Sequence, residues 1–327
     1  MLSKIKEKKK RKNSATVAFY NLDNLFDIYD DPDTLDDEYT PTGEKKWTYR
    51  KYKNKLKKLA EVIAKIGSDY TLRPPTLIGF AELENESVLI DLLNTKGLRE
   101  FPYDYVHYDS PDDRGVDVAF AFCKKDFELI ESSKHELIIY QKNGNRDYTR
   151  DILYVKGKLR GELMHIIVNH WPSRREGEES VRKRIAAAQR VHEIIHTINT
   201  ENENPKIIIM GDFNDEYNSP SIQKHLVSSQ FFNPMQSLKD SGLGSSYYNG
   251  KWFLFDQIIF SVNFLEKRQG QFFFKYADVF NPDFLKTWKG KRKNTPHRTY
   301  VGTWHQGGYS DHFPVFTQIE QHKRFLF

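Results

Sequence analysis

Cysteine is all but missing from this chain of 327 residues, with Cys123 the only one. An internal disulfide is therefore excluded, as is a zinc or iron–sulfur centre built on thiolates. Any metal has to be held by oxygen, with imidazole as the other donor. There is no run of about 18 apolar residues, which removes a membrane-spanning helix from consideration. Internal repeats and low-complexity linkers are missing too. Apolar material is not: hydrophobic residues make up 38%, with 23 Phe and 18 Tyr. That is enough for a sizeable core and too much for a disordered chain.

The formal charge of +5 is unevenly spread. Residues 1–12 carry seven Lys/Arg against one Glu, a net +6 that leaves the remainder at −1. A body coated in positive charge to bind DNA is excluded. The sequence predicts a basic tail over 1–13 and one domain over 14–327. The tail is able to touch nucleic acid or anionic lipid, although a solvated run is the plainer reading. Its positive start has no apolar stretch behind it, so no signal peptide is read. The compartment stays open: cytoplasmic as given, exported if a signal preceded it. A monomer is expected.

Short apolar runs alternate with helical patterns. Strands are predicted at Thr16–Tyr20, Thr76–Phe80, Val116–Phe122, Ile152–Val155, Met164–Asn169, Lys206–Met210, Gln257–Ser261 and Pro314–Ile319. Leu56, Leu59, Ile63 and Ile66 fall at helical spacing, as do Ala187, Val191, Ile194 and Ile198. The second helix joins two predicted strands as a βαβ-like passage. Residues 27–38 hold seven Asp/Glu and 45–58 hold eight Lys/Arg, which reads as an exposed insertion leading into a surface helix. Glu84 and Asn85 are placed to cap a helix whose Val88, Leu89, Leu92 and Leu93 face inward.

Polar residues collect just past the strand ends, where a rigid scaffold projects side chains into a shared crevice. They are Asn21 and Asp23, Glu82, His170 with Arg174, Asp212 with Asn214 and Asp215, Asp256, and Asp311 with His312. Carboxylate and amide oxygens without thiolates suit Mg²⁺, Mn²⁺ or Ca²⁺ rather than zinc. Such a cation with imidazoles and arginines is the equipment of phosphate ester hydrolysis, in which a carboxylate aligns water for in-line attack. One Gly-Asp-x-Asn turn or Ser-Asp-His triplet alone is more often a turn or cap. Six strand-end clusters in one order are a far rarer coincidence.

The ordered set Tyr20-Asn21-Leu22-Asp23, Ala81-Glu82-Leu83-Glu84-Asn85, Asn169-His170-Trp171-Pro172-Ser173-Arg174, Gly211-Asp212-Phe213-Asn214-Asp215 and Ser310-Asp311-His312-Phe313-Pro314-Val315 resembles the endonuclease/exonuclease/phosphatase superfamily, over about 17–316. The resemblance implies an α/β (α+β) four-layer sandwich, two packed mixed sheets flanked by helices. It also implies roles. Glu82 is the principal metal ligand, with Asp23 and Asp311 completing the shell around Mg²⁺, for which Mn²⁺ can substitute. Asn21 fixes the ligand or a phosphate oxygen, and Asp212 orients or deprotonates the attacking water. Asn214 binds the scissile phosphate, and His170 and His312 donate to its oxygens, with His312 paired to Asp256. Arg150 resembles an arginine that contacts phosphate in pancreatic deoxyribonuclease. Asp117 is weighed as a partner for His170 against a solvent-facing ion pair, and Trp171 is read as packing.

Gln257 stands where the inositol polyphosphate 5-phosphatases have Arg, and Glu84 where abasic endonucleases have Lys, so neither specificity is implied. The pattern is closer to the unspecialised bacterial-type branch. The leading expectation is a metal-dependent phosphodiester hydrolase acting on nucleic acid, an endonuclease of low sequence specificity. Arg174, Arg175, Arg182, Lys183 and Arg184, then Lys286, Lys289, Lys291, Arg292, Lys293 and Arg298, offer basic patches beside the site. The alternative is a small-molecule or lipid-headgroup phosphoesterase. A non-catalytic phosphate-binding module would be expected to lack Glu82, Asp212 or His312, and none is missing.

Overall fold

The structure, a computed structural model, describes residues 13–322 apart from 142, 175 and 176. The basic tail expected at 1–13 lies outside the described residues except for residue 13, and so does Arg175. In chain order the strands of the two main sheets are β1 (Ser14–Leu25), β2 (Leu77–Leu83), β3 (Tyr103–His107), β4 (Asp117–Cys123), β5 (Phe127–His135) and β6 (Ile152–Leu159). There follow β7 (Glu162–His170), β8 (Ile207–Asp212), β9 (Phe231–Phe232), β10 (Asp256–Ser261), β11 (Phe272–Val279) and β12 (Val315–Gln321). One six-stranded sheet runs β11-β12-β1-β2-β4-β3 and the other β9-β10-β8-β7-β6-β5.

The two sheets repeat one plan. Each has a single parallel pair at its centre, β1 with β2 and β7 with β8, and every other pairing is antiparallel. A parallel pair needs a long crossover. Helix α1 (Tyr49–Lys65) lies within the first, and helix α3 (Glu178–Glu201) makes the second. Between them in sequence lies α2 (Glu86–Leu93), where the Asn85 side chain accepts from the Val88 amide at 3.0 Å as the expected cap. Glu84 does not join it. Its carboxylate takes the Asp27 amide instead, at 2.5 Å.

Alternation along the strands divides the apolar residues between two cores. Ile208, Met210, Ile166 and Val168 face the other sheet and join the cluster between the sheets. Ile207, Ile209 and Ile167 point the other way, against Ala187, Val191, Ile194 and Ile198 of α3. On α1, Leu56, Leu59 and Ile63 are buried, as their spacing predicts. Helices thus cover outer faces while two mixed sheets share an inner one, the four-layer α+β arrangement anticipated. The unforeseen strands of these sheets are β3, β5, β9 and β11, the four edges. An edge strand has one neighbour and need not bury alternate residues: positions 128–131 of β5 are all exposed.

The sheets come close at Gly79 of β2. A Cβ there would lie 2.7 Å from Met210 Sδ and 3.1 Å from both Phe19 and Val168. The expected outcome for Gly79→Val is a native fold destabilised by ~1–3 kcal/mol, the usual cost of overpacking, read as a lower urea midpoint with an unchanged slope.

Candidate active site

The shared plan of the sheets brings the site together. Parallel strands end at the same edge, and antiparallel neighbours begin there. The carboxyl ends of β1 and β2 carry Asn21, Asp23 and Glu82, while those of β7 and β8 carry His170 and Asp212. Asp256 opens β10, and Asp311 and His312 stand just ahead of β12. The result is a cleft of about 830 Å³ whose lining includes Glu82, Arg150, His170, Asp212, Asn214 and His312.

The backbone is bent to deliver these groups. Asp23 and Asn24 (both φ 54°), Glu82 (φ 61°) and Asn214 (φ 50°) occupy the left-handed region. Non-glycine residues rarely adopt it, and they do so where surrounding structure enforces it. Between β1 and β2 the register slips, with Asn21 opposite Ala81 but Leu25 opposite Leu83. Glu82 is also the extra residue against β4, where Ala81 pairs Val118 and Leu83 pairs Asp117. These bulges turn side chains that would lie in the sheet out to its end. Asn214 is locked by its own amide donating to Asp212 Oδ1 at 2.9 Å and its side-chain nitrogen donating to the Trp171 carbonyl at 2.9 Å. Trp171 packs edge-on against Phe213 and is fully buried.

Opposite electrostatics separate the two imidazoles. His312 Nδ1 lies 2.6 Å from Asp256 Oδ2. Burial opposes its charge, but Asp256, Asp311 and Asp212 outweigh that and hold it protonated well above the ordinary range. Burial, reinforced by Arg150 and Arg114, keeps His170 neutral. His170 Nε2 stands 3.7 Å from Glu82 Oε1 and 4.0 Å from Asp212 Oδ2. Asp212 is pushed up to about 7 by burial, with His312 pulling down and Asp256 pushing up. Its Oδ2 accepts from Asn21 Nδ2 at 3.0 Å.

Among the described residues, two groups able to hold a metal have donor atoms within 4.8 Å of one another: Asp212, Asp256 and His312, and, outside the cleft, His107, Asp109 and Asp117. In the first, the ligand atoms of His312 and Asp256 already bond each other. The trio named from sequence, Glu82, Asp23 and Asp311, is more open, and each member faces a cation. Arg114 lies 3.7 Å from Glu82 and Lys55 3.7 Å from Asp23, while Arg298 bonds Asp311. Even so, burial and then Asp311 raise the Asp23 carboxyl to about 6 against the pull of Lys55. Hard oxygen donors that repel one another to this degree fit a divalent cation.

Asn21 is buried, with Nδ2 donating to the Asp212 carboxylate and Oδ1 accepting the Asp23 backbone amide at 2.9 Å, which is the ligand-fixing placement of the two expected for it. Other expected positions are placed differently. Arg150 lines the cleft, but it is buried and holds Asp112 at 2.8 Å and the carbonyls of Trp171 and His170 at 2.9 and 3.3 Å. Asp117 does not reach His170. It pairs with His107 Nε2 at 2.9 Å, because β3 and β4 are neighbours and His107 lies diagonally across their ladder. Arg174 is tied to Asp215 at 2.7 Å beside the cleft. Lys183 and Arg184 are buried on Asp147 and Asp215, so these two members of the first basic patch are internal structure, while Arg174 and Arg182 are exposed.

Further residues line the cleft. Arg114, unforeseen from sequence, and Arg298, foreseen only as part of a basic patch, face the acidic trio. A hairpin pairs Ser246–Tyr248 with Lys251–Phe253 around Asn249 and Gly250, both with positive φ. Asn-Gly between aromatic runs was its signal.

A sequence profile of the endonuclease/exonuclease/phosphatase family matches residues 16–321. No curated protein matches the sequence. Among solved structures, an endonuclease/exonuclease/phosphatase family protein from Bacteroides thetaiotaomicron superposes with TM-score 0.58 at 18% identity, covering 94% of this chain and 97% of that one. A mannosyl-6-phosphatase from the same organism gives 0.56 at 17%, covering 93% and 99%. D. rerio TDP2 complexed with single strand DNA product gives 0.56 at 12%, covering 94% and 99%.

Replacing Asp256 with Asn should release the His312 imidazolium. Its titration, followed by NMR of the ring protons, is expected to move down toward the ordinary value of about 6.5, and an unmoved midpoint would remove Asp256 as the cause.

Proposed function

The chain belongs to the endonuclease/exonuclease/phosphatase family, and on that premise we propose that it is a divalent-metal-dependent phosphodiester hydrolase acting on nucleic acid, an endonuclease of low sequence specificity. The observation that carries this reading is the pairing of a protonated His312 with a neutral His170 around Asp212, a carboxylate raised to about 7. Titratable groups driven apart in this way take different parts in acid–base chemistry.

Mg²⁺, with Mn²⁺ as a substitute, is the proposed cation, held by Glu82, Asp23 and Asp311, and when bound it would neutralise charge on a phosphoryl oxygen. The chain's own groups do the rest. Asp212, braced by Asn21 and the Asn214 amide, accepts the proton of the attacking water, for which a pKa near 7 is well matched. Asn214, with one amide hydrogen spent on Trp171, offers the other to the phosphate or that water. His312, steadied through Nδ1 by Asp256, offers its Nε2 proton to a phosphate oxygen as charge develops there. His170 offers a neutral N–H nearby.

A nucleic acid substrate is supported by the similarity to D. rerio TDP2 complexed with single strand DNA product. The second reading, a small-molecule phosphoesterase, is supported by the mannosyl-6-phosphatase neighbour.

Metal-dependent nicking of supercoiled plasmid is expected with Mg²⁺ or Mn²⁺, abolished by EDTA and by Glu82→Gln. Intact plasmid with metal-dependent turnover of bis-p-nitrophenyl phosphate would move the substrate to small phosphodiesters, and inactivity on both would refute the hydrolase. His312→Ala should lower turnover at least ~100-fold, and Asp212→Asn by a similar factor. Wild-type rates in both variants would end the assignment of these residues.

A further inference from the structure

One wall of the cleft has chemistry that the hydrolysis does not use. The hairpin of Ser246–Tyr248 and Lys251–Phe253 has two unlike faces, because cross-strand partners share a side. Tyr247 and Trp252 form the inner one. They pack together, and Trp252 stacks on Phe313 with ring centroids 5.9 Å apart. Tyr248, Lys251 and Phe253 form the other and line the cleft. Tyr248 is 63% exposed, which leaves its ring open to the cleft.

This face is built as a platform. Phe253 is stacked on Phe255 at 4.8 Å, with planes 19° apart. The Arg174 guanidinium lies 5.1 Å from the Phe255 ring and 5.6 Å from Phe253, while Arg174 itself is fastened to Asp215. The hairpin is also fixed to the reacting end of the site. Ser246 forms a β-bridge with His312, and the Phe313 amide donates to the Ser245 carbonyl at 2.7 Å. A planar group lying on these rings would sit beside the phosphate that His312 addresses.

We infer that Tyr248 and Phe253 form a stacking subsite for an unpaired nucleobase of a single-stranded nucleic acid, with Lys251 and Arg174 meeting the adjoining phosphates. This rests on the proposed phosphodiesterase reading and narrows its substrate. Flat rings and cations interleaved along a groove are the pattern that binds single strands without regard to sequence. A duplex covers the faces of its bases by stacking, so only a splayed base can lie on Tyr248. A sugar phosphate or lipid headgroup brings no π face, so its binding would not depend on a base.

The test separates bases from phosphates. Anisotropy titrations of the full chain in EDTA would compare a short labelled oligothymidylate with a strand of equal length and charge built from abasic spacers. The thymidylate is expected to bind at least ~10-fold tighter. Tyr248→Ala, at an exposed position, and Phe253→Leu, which keeps apolar bulk without a ring, should each shrink that ratio while abasic binding holds steady. Equal affinities, no saturable binding of either strand, or a ratio that survives both substitutions together would overturn the subsite. Mg²⁺-dependent turnover of bis-p-nitrophenyl phosphate by the wild type is run in parallel. Turnover without a base-dependent ratio keeps the hydrolase and rejects the subsite, and the reverse keeps the subsite and rejects the hydrolase.

Discussion

Packing Asp23, Glu82, Asp212, Asp256 and Asp311 into one buried cleft end is the constraint on which the rest of the structure depends. Isolated buried carboxylates cost several kcal/mol each unless they are paired or protonated. Nearly every polar feature around them offsets that cost. Lys55 reaches in from α1 to Asp23, its amine also bonding the carbonyls of Asp23 and Tyr309. Arg298 meets Asp311 and Arg114 meets Glu82. His312 takes the charge of Asp256. What this pairing leaves uncompensated appears as raised pKa values on Asp23 and Asp212. Those two acids, together with the imidazoles, are where the proposed chemistry would be concentrated.

The central strands were legible because they are covered on both faces. All eight predicted strands are the inner four of each sheet, where continuous apolar runs such as Lys206–Met210 leave little ambiguity. Edge strands such as β5 carry mostly exposed residues and leave no such trace. The strand-end clusters pointed to the cleft because polar residues straight after an apolar run have one place to go. Arg150 and Asp117 were harder: which neighbour a side chain chooses depends on which strand pairs with which. Asp117 sits in the sheet of β1 and β2, while His170 belongs to the other sheet, and no local pattern encodes that distance. The hairpin at Asn249-Gly250 had a local signal, but its two faces become meaningful only once Trp252 is seen on Phe313.

The doubling of one strand plan explains why the site is divided between sheets. Glu82 and Asp23 come from one parallel pair, His170 and Asp212 from the other. Neither half holds both the acidic trio and Asp212. The Asn21–Asp212 hydrogen bond, at 3.0 Å, and the His312–Asp256 pair, at 2.6 Å, tie the two sheets together at this end.

The close approach at Gly79 gives this division a mechanical meaning. The seam between the sheets is filled there by Met210 and Val168 with no room for a methyl group. It acts as the vernier of the molecule: sliding one sheet past the other by a fraction of a residue would leave every strand intact and every hydrogen-bond ladder closed, yet carry Asp212 away from Asn21. Alignment in this protein is therefore a property of its interior spacing, set well below the cleft whose chemistry it governs.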